Sequence, residues 1–545
     1  MFRIETYLKQ IINEALQRLS FPQVEYSFDK PKLEKHGDIS INAAMQLAAP
    51  LKMPPRKIAE QIAENLQPDS RWIGRIDIAG PGFINFFYTP ALLQQVVREI
   101  ISEGEQFGRQ QSGQGKMAQV EFVSANPTGP LTIGHGRQAV LGDTVANFLQ
   151  WQGFTVVREY YFNNAGRQMR VLGESVKTRY RQLCGQQVEF SEEYYQGEYI
   201  RDIARQLYDE HGNDLLNEPA EGLFKDTAER VIFEDIRKTL KRLSIEFDDY
   251  FNEKDLYESG RIEQLIRRLK EKDLAYEEDG ALWFRSTRFG LEQDRVIVKS
   301  SGEPTYRLPD IAYHATKFER GFDLIVDIFG ADHIATYPDV LAGVQALGLD
   351  PAQIKILIHQ FVTLYRGQEK VKMSTRKANF VTLDELIDEA GVDVTRWFFL
   401  MRSMDSHLNF DLLLAKTQSD ENPVYYNQYA HARICSILRT AASEGVNTDP
   451  VSELEPLSEP SEQQLMKKLQ EFPGVVERCA GDFTPHLLPQ YLSSLSTSFH
   501  KFYTECRVLG EDTSLTRARL TLCLAVKTVL ANGFAILGVS APESM

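Results

Sequence analysis

Between residues 116 and 386, short apolar runs alternate with stretches of helical spacing. The runs at 117–123, 154–161, 323–329 and 354–358 read as strands, and their alternation with helices predicts a parallel α/β sheet. From 171 to 283 the strand-like runs thin out and charged helical patterns take over, at 199–208 and 226–243, which predicts an insertion in the sheet domain. Ahead of the sheet, 1–108 reads as a small α+β unit. It has a helical start, Gly37-Asp38-Ile39 leading into an Ala-rich helix, Pro54-Pro55 opening another, and a hairpin alternating over 72–88 around Gly80-Pro81-Gly82. The Gly- and Gln-rich stretch 104–115 reads as a linker. Behind the sheet, 387–421 is expected to be a connecting helical segment and 422–545 a helical domain. There Tyr426, Ala430, Ile434 and Ile437 make one apolar stripe, and Leu515, Leu522 and Val529 another. The stretch 444–462, with several Pro and Ser, reads as an exposed connection. The expected domains are therefore 1–108, 109–386 with the insertion at about 171–283, 387–421 and 422–545.

Composition narrows the class. At 545 residues the chain is long enough for three or four domains at roughly 150 residues each. Its 43% hydrophobic and 25% charged content is that of a soluble globular protein, so no bulk disorder is needed. The N-terminus carries an acidic residue early and lacks a signal-like apolar core, and no apolar stretch is expected to span a membrane. Five widely spaced cysteines without a Cys-x-x-Cys pair indicate neither a zinc site nor a disulfide framework, and make a reducing cytoplasmic location the default. The net charge of −15 makes non-specific nucleic-acid binding weak, while a local basic track can still hold a folded RNA.

The candidate chemistry concentrates in 121–137, which reads as a strand running through a tight turn into a helix start. Asn126-Pro127-Thr128-Gly129-Pro130 is turn chemistry, and Gly134 and Gly136 bracket His135 with residues that let a ligand approach the backbone. A helix opening at 133–136 turns free N–H groups and its positive dipole end toward an anion, and His135 adds a side-chain donor there. A Gly-His-Gly triplet alone is more often an ordinary turn. The second signal is a basic loop with two hydroxyls, containing Lys370, Lys372, Ser374, Thr375, Arg376 and Lys377. A basic loop alone is usually solvated surface; paired with His135 in one α/β domain, it becomes half of a triphosphate clamp.

These strings carry a resemblance. Thr132-Ile-Gly-His135 and Lys372-Met-Ser374-Thr375 look like the two signatures of class I aminoacyl-tRNA synthetases. The 121–130 string, Tyr306-Arg-Leu-Pro-Asp310-Ile-Ala-Tyr-His314, Gly330-Ala-Asp-His333, the 422–433 string and the ending 537–545 resemble the arginyl-tRNA synthetases in particular, of the bacterial type, in that family's order. The resemblance covers essentially the whole chain. It implies a Rossmann-like parallel-sheet catalytic domain with an insertion, a small N-terminal α+β domain touching the outer corner of tRNA, and an all-α C-terminal anticodon-binding domain.

It also implies a two-step ligase reaction with ATP and Mg²⁺, no tightly bound protein metal, and L-arginine and tRNA(Arg) as the other substrates. No membrane or obligate protein partner is expected, a monomer is, and activation is expected to require tRNA. Thr132, Gly134, His135, Lys372 and Ser374 are then the catalytic residues, with Pro127, Thr128, Gly129 and Met373 completing the ATP site. A guanidinium is always cationic, planar and suited to bidentate carboxylates, so its pocket needs acids at the sheet top. By resemblance, Glu121 and Asp310 bind that group, Tyr306 packs on the substrate, Ser124 and Asn126 hold its backbone portion, and His333 lines the site. For RNA, Tyr425, Tyr426, Tyr429, His431 and Arg433 offer stacking rings and polar edges. Tyr426, Tyr429 and Arg433 are assigned to RNA, with Met545 by family analogy; Phe499, Tyr503 and Arg507 form a further candidate face.

Three positions depart from the family pattern. Thr132 stands where the first signature usually has histidine, Thr375 where the second ends in lysine, and Asn164 where aspartate is common. Thr132 is expected to donate its hydroxyl to phosphate or water, and Arg376 or Lys377 to supply the charge missing at Thr375. Two alternatives stand beside the ligase. Another class I synthetase, such as a cysteine enzyme, is disfavoured by the lack of a Cys/His cluster. A catalytically inert RNA-binding relative is suggested by Thr132 and opposed by Glu121, His135, Asp310 and Lys372.

Overall fold

The computed structural model describes residues 4–31, 33–164, 166–371 and 381–545. Its centre is a parallel sheet of five strands: β1 (Met117–Glu121), β2 (Thr155–Phe162), β3 (Asp249–Asn252), β4 (Leu324–Gly330) and β5 (Ile354–His359). Their spatial order is β5-β4-β1-β2-β3. The chain runs from β1 outward to one edge, then returns to build the other, so the strand order reverses beside β1. Such a reversal opens a crevice at the carboxyl ends of the strands.

Helix α1 (Ile133–Trp151) follows β1 and is buried along most of its length, so its apolar residues surround the axis rather than forming one stripe. Gly142 makes this seat possible, because a Cβ there would lie 2.1 Å from the Phe122 ring. Helix α2 (Arg307–Glu319) packs beside the sheet and leads into β4. The insertion contributes the helices Arg167–Leu183, Glu198–His211 and Lys225–Arg242, but it also supplies β3, the edge strand of the main sheet. The reading of 171–283 as a stretch where strands thin out therefore misses that it completes the main sheet, and two further strands of the span belong to a smaller sheet. A three-stranded antiparallel sheet of Ala275–Glu278, Ala281–Phe284 and Arg295–Val298 closes this region.

The N-terminal unit is a four-stranded antiparallel sheet with helices over it, and it has its own core around Leu8, Ile12, Ile41 and Phe86. The expected hairpin is there, as Ile73–Ala79 paired with Phe83–Tyr88. The helix Pro90–Glu103 bridges two cores, since Leu92 stays with this unit while Leu93, Val97 and Ile100 join the main one. The stretch read as a linker is fastened down: Phe107 is buried, and Asn532 Nδ2 donates to the carbonyls of Gly104 and Phe107.

Segment 387–421 is not helical throughout. The helix Val392–Leu400 is followed by a strand, Leu408–Asp411, that pairs in parallel with Val362–Arg366 and buries Leu408 and Phe410. The tail is helical, with α3 (Pro423–Ser443), Pro460–Gln470, Phe472–Gly481, α4 (Leu487–Glu505) and α5 (Thr513–Leu537). The connection at 444–462 is anchored rather than exposed, because Leu454 and Leu457 are buried within it. Contrary to the sequence expectation, α5 is long and apolar enough to cross a membrane; 72% of its apolar window is buried, as in a core helix.

One guanidinium joins catalytic sheet, connecting segment and tail. Arg396, fully buried, donates to Asp143 Oδ2 on α1 at 2.6 Å, to Leu243 O at 2.7 Å and to Leu537 O at the end of α5 at 2.7 Å. Asn147 Nδ2 donates to Ile536 O at 2.9 Å beside it. The helix that begins at the candidate site is thus held at its middle by the last helix of the chain.

Candidate active site

The crevice at the strand ends is a cleft of about 1630 Å³. Its floor begins where β1 ends. Val123 and Ser124 take positive φ angles of 67° and 41°, and a β-branched residue in that region stores strain of about 1–3 kcal/mol. The bend lets the Ser124 hydroxyl donate to Glu121 Oε1 at 3.1 Å while its oxygen accepts the Tyr161 N–H at 3.1 Å. Ser124 therefore orients Glu121. Asn126 reaches the cleft but gives its amide to Gln168 Oε1 at 2.7 Å.

The following turn departs from the sequence reading. Pro127, Thr128 and Gly129 do not line the cleft. Thr128 O accepts the Tyr199 hydroxyl at 2.6 Å, and a Cβ on Gly129 would meet that same oxygen at 2.9 Å, so the turn is packed against the insertion. The two glycines around His135 also differ. Gly134 is open toward the cleft, whereas a Cβ on Gly136 would lie 2.5 Å from Leu383, which makes Gly136 a packing residue.

Thr132 is the N-cap of α1 in a reciprocal box with His135. The Thr132 hydroxyl oxygen accepts the His135 N–H at 3.4 Å, and His135 Nδ1 accepts the Thr132 N–H at 3.2 Å. Because Nδ1 is an acceptor, the ring hydrogen sits on Nε2. Burial pushes the imidazole down to about 4, so it is neutral at physiological pH and offers an uncharged donor. Threonine at 132 thus has a structural reason beyond the expected contact with phosphate: its hydroxyl caps the helix start, while the backbone N–H at 132, which any residue but proline would supply, fixes the histidine tautomer. Residue 132 also bridges to Thr382, and Leu383 N donates to Leu131 O at 2.8 Å, which ties the start of α1 to the helix Leu383–Ala390. Lys372, Met373, Ser374, Thr375, Arg376 and Lys377 lie outside the described residues.

The opposite end of the cleft is acidic. Glu121, 4% exposed, is paired through Oε2 with Lys317 Nζ at 2.6 Å; Lys317 also holds Asp327 Oδ1 at 2.6 Å, and His314 Nε2 reaches Asp327 Oδ2 at 2.9 Å. Asp310, His314 and Lys317 share one face of α2 through their spacing of four and three residues. Glu121 is therefore a braced carboxylate whose two oxygens already have partners. Asp310 is different: among the described residues its carboxyl has no hydrogen-bond partner, and it faces the cleft. Burial, with Glu253 and Glu121 nearby, raises it to about 7. Glu253, at the start of a helix just after β3, accepts the Tyr161 hydroxyl at 2.8 Å and is raised by burial as well. Two buried carboxyls beside one another, both raised by burial, suit a cation. Tyr306 stands 50% exposed at the rim, with Arg307 over its ring at 4.8 Å, and His333 stacks on Phe329 at 5.1 Å.

The cleft thus gathers Glu121, Ser124, Asn126, Thr132, Gly134, His135, Tyr306, Asp310 and His333. Sequence reasoning missed Glu253, Tyr161, Lys317 and His359. The helical spacing of Asp310, His314 and Lys317 was a readable signal for Lys317, while Glu253 lay in a stretch read as helical.

A second candidate surface lies on the tail. Arg433 sits over Tyr429 at 5.1 Å and Tyr503 at 5.7 Å, and the Tyr429 ring is stacked on Tyr425 at 6.2 Å and on His500 at 6.0 Å. Tyr426 is half-buried and donates to Thr497 Oγ1 at 3.2 Å. Phe499 is fully buried and cannot meet a ligand, and His431 is buried with Nδ1 donating to Pro542 O at 2.8 Å. Met545 is 55% exposed, beyond a tail fastened through Ser540 to Asp393 and Gln428.

Three family models match in succession: “Arginyl tRNA synthetase N terminal domain” over 6–88, “tRNA synthetases class I (R), catalytic domain” over 96–398, and “DALR anticodon binding domain” over 427–545. A protein of Desulfotalea psychrophila called arginine–tRNA ligase is 53% identical over 523 residues, covering 96% of this chain and 95% of its own. One of Salinibacter ruber with the same name is 49% identical over 562 residues, covering 99% of this chain and all of its own. The solved arginyl-tRNA synthetase of Thermus thermophilus shares the fold with a TM-score of 0.78 at 22% identity, over 99% of this chain and 100% of that one.

Proposed function

The chain belongs to the arginyl-tRNA synthetases of class I, and from that membership we propose that it is an arginine–tRNA ligase. It joins L-arginine to ATP as arginyl-adenylate with release of pyrophosphate, then passes the arginyl group to the 3′ end of tRNA(Arg). The observation that carries the reading is a single cleft with an acidic end built for a cation and a helix start built for an anion.

Asp310 and Glu253 take the guanidinium, whose planar fork matches carboxylate geometry and whose charge favours the ionised form of Asp310. Glu121, held by Lys317 and Ser124, adds a fixed negative wall. Tyr306 covers the substrate from the rim. Lysine brings no fork and leaves a buried carboxyl unpaired, so it is rejected.

In the first step an oxygen of the substrate carboxylate attacks the α-phosphorus and the bond to the β-phosphate breaks, with pyrophosphate leaving. The protein's part is positioning and charge stabilisation. His135 Nε2–H and the free N–H groups of the first turn of α1, opened by Gly134, receive the charge that builds on the α-phosphate oxygens. Lys372, Met373 and Ser374 are assigned the β- and γ-phosphates on the resemblance alone. Mg²⁺ enters with the triphosphate, held by phosphate and water oxygens. Among the described residues, no group of three His, Cys, Asp or Glu side chains is placed to bind it. In the second step a hydroxyl of the terminal ribose attacks the arginyl carbonyl carbon and AMP departs. Tyr426, Tyr429 and Arg433, and Met545 by family analogy, are proposed to stack and bond the anticodon bases. It is proposed to act in the cytoplasm, as a monomer without an obligate protein partner.

Arginine-dependent exchange of pyrophosphate into ATP, measured with and without tRNA(Arg), tests the reading, together with charging of that tRNA. Exchange with arginine and not with lysine or cysteine is expected. A protein that binds tRNA but neither exchanges nor charges is the inert relative instead.

A further inference from the structure

We infer that His359 reads the nucleoside of ATP by accepting a hydrogen bond at Nε2; this rests on the proposal that ATP binds in the cleft. His359 is the last residue of β5, beside Gly330 of β4, and lines the cleft while only 6% exposed. Its Nδ1 lies 3.3 Å from the carbonyl oxygen of Gln360, which can only accept, so Nδ1 carries the ring hydrogen. Nε2 is then a bare lone pair, and no group among the described residues engages it.

The arrangement is braced from behind. Arg137, fully buried on α1 two residues after His135, donates to the same Gln360 carbonyl at 2.7 Å and to the carbonyls of Ser403 and Ser406 at 2.9 and 3.0 Å. Gln360 N donates to Met404 O at 2.9 Å. A buried guanidinium that donates to three carbonyls through its two terminal nitrogens, its Nε unpartnered and no carboxylate within ion-pair distance among the described residues, therefore holds the carbonyl that sets the His359 tautomer.

The two imidazoles of the cleft are complementary in kind: His135 presents a donor, His359 an acceptor. Triphosphate oxygens only accept, so they suit His135 and are repelled by the His359 lone pair. What His359 suits is an N–H or O–H donor, and ATP carries these only on its nucleoside. Phe361, 62% exposed, and Val362 follow closely on His359 in the chain, and with Val381 they line the same cleft and offer apolar surface for a flat base.

The test is pyrophosphate exchange in the presence of tRNA(Arg) with ATP, 2′-deoxyATP, 3′-deoxyATP and the purine riboside triphosphate that lacks the 6-amino group, each analogue removing one donor group. Wild-type enzyme is expected to prefer ATP over one of the three by about tenfold or more in kcat/KM, since the analogue leaves a buried acceptor unpaired. His359→Ala should lose that one preference while keeping the others and the KM for arginine. His359→Asn keeps a donor for Gln360 O but has no acceptor at the Nε2 position, so it should match His359→Ala with the fold preserved. His359→Gln, whose amide oxygen reaches that position, should recover part of the preference. Identical preferences in wild type, His359→Ala and His359→Asn for all three analogues overturn the inference. A wild-type protein that does not exchange with ATP at all removes the ATP reading beneath it.

Discussion

Thr132 and His135 hold each other, backbone to side chain in both directions, at 3.2 and 3.4 Å. One contact closes an orphan N–H of the helix start and the other decides which imidazole nitrogen faces the cleft. Thr132→Ser keeps both and should be near wild type. Thr132→Ala should cost about 0.5–2 kcal/mol of stability in urea unfolding and lower kcat for exchange more than it raises the KM for arginine. An alanine variant with unchanged stability and kcat would show that the Thr132 hydroxyl neither caps the helix nor serves the reaction; the backbone N–H that sets the His135 tautomer is kept in it.

Asp310 should make arginine binding depend on pH. Its carboxyl is raised to about 7 in the empty cleft, and the guanidinium needs it ionised. Above pH 7 the site is ready, and below it binding must first expel a proton. The KM for arginine should therefore rise about tenfold between pH 8 and pH 6. A KM that stays flat over that range rules the role out.

The same shift has a sign for stability. The folded value lies above the ordinary 3.8, so the group favours the fold when protonated, and that contribution is lost as pH rises toward and through 7. Asp310→Asn should thus raise Tm at pH 8, have little effect near pH 4, and abolish arginine binding at both. A lower Tm at pH 8 contradicts this.

Lys317 is fully buried between Glu121 and Asp327. Lys317→Met leaves two buried carboxylates facing each other and should cost about 3–5 kcal/mol. Adding Asp327→Asn should recover part of it. Equilibrium denaturation of the single and double variants measures both, and a double variant no better than the single one would place the loss elsewhere.

On the tail, Tyr429→Ala removes the ring that Arg433 and His500 both contact. The KM for tRNA(Arg) should rise by the equivalent of about 1–3 kcal/mol, with the KM for arginine unchanged. An unaltered tRNA KM moves the RNA surface away from this shelf.

What could be read in the sequence followed from local physics. The strand, turn and helix from 117 to 151 showed in their periodicity, and the pairing of His135 with the basic loop at 370–377 pointed to a site. What stayed hidden depended on tertiary partners. Gly134 and Gly136 look alike in sequence, and only the Leu383 side chain separates a ligand approach from a packing contact. β3 is four residues long inside charged helical surroundings, so Glu253 had no strand end to mark it. Phe499 and Tyr503 lie one turn apart on α4, yet one is sealed and the other 38% exposed, because neighbouring helices choose the buried face. Roles resting on Lys372 and Ser374 remain with the sequence resemblance.

The Arg396 junction makes time part of the assembly. Asn147 finds its carbonyl partner 389 residues later in the chain, and Arg396 its own at Leu537. At synthesis rates of about 5–20 residues per second, α1 leaves the ribosome roughly 20–80 s before the backbone that clamps it exists. The helix proposed to bind phosphate is therefore among the earlier parts of the α/β domain to be made and among the last to be locked.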